Sequence, residues 1–95
     1  MIGKYCMVRT YSAGVFAGIV ESLDGKIATL SNARRIWYWS GAASLSQLAQ
    51  SGTSCPNKCK FPEPVDTIYL SEVIEIIPIT AAAKATIDSV PIWRS

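Results

Sequence analysis

Apolar and polar side chains alternate from the first residues of the chain. Tyr5, Met7, Arg9 and Tyr11 fall on one side of an extended segment, and Cys6, Val8 and Thr10 on the other. A period of two marks a β-strand, here over residues 5–11 with one well-buried face. Residues 12–14 (SAG) form a turn, and residues 15–22 are a second strand in which Gly18 marks a bulge or bend. The LDGK stretch, residues 23–26, predicts a hairpin with Asp24 and Gly25 at the two central positions of a type I′ turn. Residues 27–30 are a third strand, Ser31-Asn32 a short turn, and residues 33–39 a fourth strand rich in aromatics.

The period then changes. Ser44-Leu45-Ser46-Gln47 matches a capping box, with Ser44 as N-cap and Gln47 reaching back to it. Leu45, Leu48 and Ala49 share one helical face, and Gly52 suits the position after the C-cap, so a two-turn helix is expected. Residues 51–64 hold three prolines and a glycine and read as a long loop, a kind of segment that often carries function. Strands follow at 65–70 and 73–77. Thr80 is the N-cap of a last helix over 81–90, with Ala83, Ile87 and Val90 on its apolar face, and Pro91 stops it. The order β-β-β-β-α-β-β-α predicts one domain over residues 1–95. Its expected class is mainly β with helical additions (α+β): a small, strongly bent antiparallel SH3-like or Sm-like barrel.

Composition sharpens this in three ways. First, 49% of the 95 residues are hydrophobic and 17% charged, which excludes disorder. A chain this short buries only roughly 60–65% of its unfolded surface, so its apolar content predicts further burial in a homo-oligomer. Second, nine basic against seven acidic residues leave a net charge of +2. That is modest for a protein that coats nucleic acid. Third, histidine is absent, which removes Ser-His-Asp and Cys-His catalysis within the chain. The three cysteines are an odd number with no secretory signal, and no apolar run reaches the ~18 residues of a membrane span. The expected setting is the cytoplasm, without a membrane partner.

The candidate chemistry lies in NARRIWYWSGAASL, residues 32–45. On an extended chain Arg35, Trp37 and Trp39 share one face, and Arg34, Ile36 and Tyr38 the other. A guanidinium beside an indole can stack a base and contact a phosphate. Ser40 and Gly41 then lead to the helix start at Ser44, where free N–H groups favour an anion and Gly41 permits close approach. Tyr11 would line the rim. These elements together suit a nucleotide-like anion. The same tryptophans are also ordinary strand residues that pack a core or an interface. If their face is buried, the site falls to Arg34, Tyr38 and the helix start; if it is open, the tryptophans are the site.

Cys55 and Cys59 form a C-x₃-C pair. Zinc needs four ligands, so Cys6 and a carboxylate such as Glu63 or Asp66 would have to join them, and free thiols are the simpler expectation. No two carboxylates are spaced as an acid/base dyad. The chain is expected not to be an enzyme and to need no cofactor or metal.

The block NARRIWYWSGAASLSQLA, with MIGKYCMVRTYSAGVFAG, CKFPEPV and EVIEIIPIT, resembles a family of small uncharacterised proteins from tailed-phage and prophage genomes. The resemblance spans nearly the whole chain. It implies a phage-encoded accessory protein in the host cytoplasm and carries over no catalytic residue. Three functions are then expected in order. The first is a non-enzymatic oligomeric binder of a small nucleotide-like ligand, one that sequesters a host defence signal. The second is a small-barrel nucleic-acid-binding protein. The third is an interaction module that inhibits a host protein or serves virion assembly.

Overall fold

The computed structural model describes residues 1–94. Five strands form one antiparallel sheet: β1 (Tyr5–Thr10), β2 (Val15–Asp24), β3 (Ile27–Arg35), β4 (Val65–Leu70) and β5 (Val73–Pro78). Two helices, α1 (Leu45–Ser51) and α2 (Ala81–Asp88), complete the fold. The strand order is β4-β3-β2-β1-β5. Strands β4 and β5 therefore lie at opposite edges although only Ser71 and Glu72 separate them. Side chains from both edges, Ile68 and Leu70 on one and Val73 and Ile76 on the other, join a single core with Cys6, Val8, Phe16, Val20 and Leu30. The sheet must curl around that core for its edges to meet.

It does not close. No ladder pairs β4 with β5, so the expected SH3-like or Sm-like barrel is instead a curled open sheet. Glu72, at φ 59, redirects the chain at the corner, and β5 pairs with β1.

A second core fills the opposite face, where α1 and α2 cover the sheet. Met7, Ala17, Ile36, Leu48, Ala49, Phe61, Ile87 and Val90 meet there. Strand β1 is consequently buried on both faces, not one as its alternation suggested. Isolated seven-residue helices are unstable in water, and α1 is held by burying Leu48 and Ala49. Its N-cap is Ser44, whose Oγ accepts from Gln47 N at 3.1 Å. Gln47 reaches back one residue further than expected and accepts from Ala43 N at 2.8 Å. Helix α2 ends at Asp88, two residues before its expected end, with Thr80 capping its start. The predicted loop 51–64 holds a short 3₁₀ turn (Pro56–Lys58) and a backbone bridge from Lys60 to Tyr38.

The β2–β3 hairpin differs from its sequence reading at both ends. Asp24 pairs with Ile27, so the two central turn residues are Gly25 and Lys26, with Gly25 at φ 60. Ser31-Asn32 is not a turn, and residues 33–39 are not a separate strand. Strand β3 runs unbroken from Ile27 to Arg35, and Asn32, at φ 48, is the extra residue of a bulge. Asparagine tolerates this left-handed conformation better than most residues. Gly18 lies opposite: a Cβ there would come within 3.1 Å of Ala33 Cα and Ser31 O, so glycine lets the bulged strand approach.

The bulge reverses the facing of everything after it. Leu30 and Ala33, three apart, both enter the inner core. Arg34 and Ile36 therefore turn toward the helices. Arg35 turns the other way, with its guanidinium 4.4 Å from the centroid of the Phe16 ring.

Candidate functional site

Arg34 is only 8% exposed. It donates to Pro62 O at 3.1 Å, Ile87 O at 3.1 Å, Phe61 O at 3.2 Å and Val90 O at 2.8 Å. Ile87 lies in the last turn of α2, where unpaired carbonyls and the helix dipole favour a cation. Arg34 is thus a clamp joining β3, the 61–62 segment and the end of α2. Four of its five N–H groups are committed to the protein, and burial pulls its pKa below the usual arginine value. One N–H group is left for a ligand.

The helix-start half of the expected site is also filled by the protein itself. Gly41 sits at φ 83, and a Cβ on it would meet Cys55 N at 2.6 Å, Thr53 Oγ1 at 2.7 Å and Ser54 N at 2.8 Å. The close approach that glycine permits is therefore made by residues 53–55, not by a ligand. The Ser40 carbonyl accepts from Thr53 Oγ1, and Ser40 N donates to Cys59 Sγ at 3.4 Å. Ser44 serves its own helix. Tyr11, 77% exposed, stands beyond the β1 end, where its N–H donates to Glu72 O at 3.0 Å; it lines none of the three clefts described below.

The other face is open. Arg35, Ile36, Trp37 and Trp39 line a groove of ≈ 330 Å³ with the turn Ser12, Ala13, Gly14 and Val15. The three residues Arg35, Trp37 and Trp39 thus meet at one cavity although the strict alternation ends with β3: Ile36 also lines the groove, and Trp39 leans on the helix-side core. Arg35 Nη1 donates to Ala13 O at 2.6 Å, which fixes the guanidinium against the turn. Among the described residues no carboxylate lies within ion-pair distance of Arg35. Glu63 pairs instead with Arg94 at 3.7 Å, and Glu75 with Arg9 at 2.9 Å. Arg35 also borders a smaller cleft of ≈ 80 Å³ with Glu63 and Val65. Trp39 is half-buried against the helix-side core, whereas Trp37 is 62% exposed.

Trp37 does not stand alone. Its ring lies parallel to that of Trp93, at an 11° interplanar angle and 6.1 Å between centroids. The tail is fixed there by Trp93 N donating to Phe61 O at 3.0 Å. Lys60 Nζ lies 5.7 Å from the Trp93 ring centroid and 5.9 Å from that of Tyr38. Tyr38 is exposed and off the groove, reached through this lysine. Trp93 and Lys60 thus extend the aromatic surface beside Trp37 and Tyr38, a placement that the linear pattern did not reveal. They arrive by long-range pairing of Phe61 with Ile92 and of Tyr38 with Lys60.

The family model described as a domain of unknown function (DUF6948) matches residues 3–87. The chain belongs to this family. The DUF6948 match contains all five strands and the groove residues Arg35, Trp37 and Trp39, while Trp93 lies beyond it. No curated protein and no solved structure matches the chain significantly.

The cysteines are separate from the groove. Cys59 is buried, and its Sγ donates to Ser40 O at 3.5 Å; Cys55 is partly exposed. Among the described residues no three cysteine or carboxylate side chains come together as metal ligands. Among the described residues no helix is long and apolar enough to cross a membrane.

Proposed function

We propose that the chain is a non-enzymatic binding protein that holds a flat, anionic, nucleotide-like ligand in the Arg35–Trp37–Trp39 groove. One observation carries this reading: an arginine without a carboxylate partner shares an open cavity with two tryptophans. The indoles would stack a base, and the free Arg35 N–H groups would take a phosphate. Arg34 and the α1 start, both engaged by the protein, drop out of that site. The resemblance to phage and prophage proteins supplies a setting, a phage accessory protein that sequesters a host defence signal. Trp37 and Tyr38, both more than half exposed, and the equally exposed Ile27 and Tyr69 support a homo-oligomer.

Calorimetric titration with cyclic dinucleotides and cyclic ADP-ribose compounds tests this function. Heat that disappears in Arg35→Ala and Trp37→Ala supports it. No heat across the panel rejects it.

A second reading is single-stranded nucleic acid. It is favoured by the aromatic surface continuing past the groove to Trp93, Lys60 and Tyr38, because successive bases stack on such rows. Its mark would be affinity for oligonucleotides that falls steeply with salt.

A further inference from the structure

A second cleft lies apart from the tryptophan groove. A cavity of ≈ 380 Å³ lies where α2 meets the sheet, lined by Tyr5, Asn32, Arg34, Lys84 and Asp88, with Ile19, Pro64, Val90 and Ile92 completing its walls. We propose that this cleft is a second binding site, for a small organic carboxylate with an aliphatic body.

Several observations converge on that chemistry. The apolar walls suit an aliphatic chain, and a cavity of this size holds a ligand of small-metabolite dimensions. At the polar end, the buried Arg34 uses Nε once, Nη1 once and Nη2 twice on backbone carbonyls, which leaves one Nη1 hydrogen. That arginine cannot turn away, because four backbone bonds fix its plane. Asn32 brings a carboxamide to the same cleft, presented there by the β3 bulge. Tyr5 adds a phenol, protonated at neutral pH as phenols ordinarily are, and burial with the nearby Asp88 pushes its pKa further up to about 12. A phenol, an amide and a fixed guanidinium hydrogen are donors suited to a carboxylate.

The charge count sets the valence. Lys84 and Arg34 are positive and Asp88 is negative, so the lining carries +1. Lys84 Nζ contacts Asp88 Oδ2 at 2.7 Å and stands 4.9 Å from the Tyr5 ring centroid. A monoanion balances this lining. A phosphate monoester would bring a second charge beside Asp88 and would find only one free arginine hydrogen, too few for a bidentate contact.

The test is an NMR titration of the ¹⁵N-labelled full chain with octanoate, octan-1-ol, octylamine and octyl phosphate, each below its micelle concentration. Octanoate is expected to shift the Asn32 side-chain amide and the backbone amides of Lys84 and Val90, and to bind at least fivefold tighter than the other three. Lys84 and Asp88 are about half exposed, so their variants should fold. Lys84→Gln should weaken octanoate at least threefold, and Asp88→Asn should strengthen it by a similar factor. Tyr5→Phe should weaken it while preserving the affinity order. Octanol or octyl phosphate binding as tightly as octanoate would overturn the proposal. So would insensitivity to both charge variants, or shifts confined to Trp37 and Trp39. None of these readouts depends on the tryptophan groove holding a nucleotide.

Discussion

Val90 accepts a hydrogen bond of 2.8 Å from the Arg34 guanidinium, 56 residues away in sequence. This pair ties the chain beyond the last helix to the end of β3, and three more carbonyls close on the same cation. Arg34→Ala would leave the Pro62 and Val90 carbonyls without donors, while Phe61 O and Ile87 O keep Trp93 N and Val90 N, and would leave the end of α2 without its positive partner. Hydrogen bonds to charged groups contribute about 1.5–3 kcal/mol each, with strong non-additivity. The expected loss is about 3–5 kcal/mol in denaturant unfolding. Arg34→Lys should recover less than half of it, because an ammonium cannot reach four carbonyls in one plane.

A smaller side chain governs the loop after β3. A Cβ at Gly41 would strike the backbone nitrogens of Ser54 and Cys55 and would also oppose φ 83. Gly41→Ala is therefore expected to cost about 2–3 kcal/mol, combining strain and overpacking. Its marker is exposure of Cys59: reaction with a thiol reagent should speed up, since the 53–55 segment covers it. Unchanged thiol reactivity and stability would contradict this placement of Gly41.

Much of this architecture was readable in the linear pattern. Strands β1, β2, β4 and β5 and both helices follow from alternation, caps and proline stops within one or two residues. The outcome at β3 was not readable, for a physical reason. Asn32 suits a turn and a left-handed bulge equally well, and the choice depends on Gly18, fourteen residues earlier, being close enough to admit the bulge. That choice decides which arginine is buried. The sequence pattern singled out Arg35, Trp37 and Trp39, which line one groove, whereas Trp93 stacks on Trp37 and Lys60 approaches Trp93 only through tertiary bridges. Gly41 and Ser44 have the chemistry of an anion site, but their own chain occupies or uses them.

The parallel rings of Trp37 and Trp93 provide a direct check on the tail. Offset aromatic pairs contribute about 0.5–1.5 kcal/mol beyond burial. A double-mutant cycle of Trp37→Ala and Trp93→Ala should return a coupling energy in that range. Coupled indoles also give a paired signal in far-ultraviolet circular dichroism, which either single substitution should remove. A coupling energy of zero with an unchanged spectrum would mean that the tail does not rest on Trp37 in solution.

Tyr5 is expected to contribute to the loss of stability at alkaline pH. Burial is the main cause that raises its pKa to about 12 from 10.0, Asp88 adds to it, and Arg34 partly opposes it. In the unfolded chain the phenol ionises near pH 10; in the folded chain it keeps its proton until about pH 12. Between these values the unfolded state binds fewer protons, so stability falls as pH rises. The effect is absent below about pH 9 and levels off only above the folded-state pKa of about 12, and two pKa units set its ceiling at about 2.7 kcal/mol. Partial solvent access lowers that figure. Tyr5→Phe should flatten the slope of unfolding free energy over this interval while leaving the neutral-pH value within about 1 kcal/mol. An equally steep alkaline slope in the phenylalanine variant would assign it to other groups and leave Tyr5 without this role.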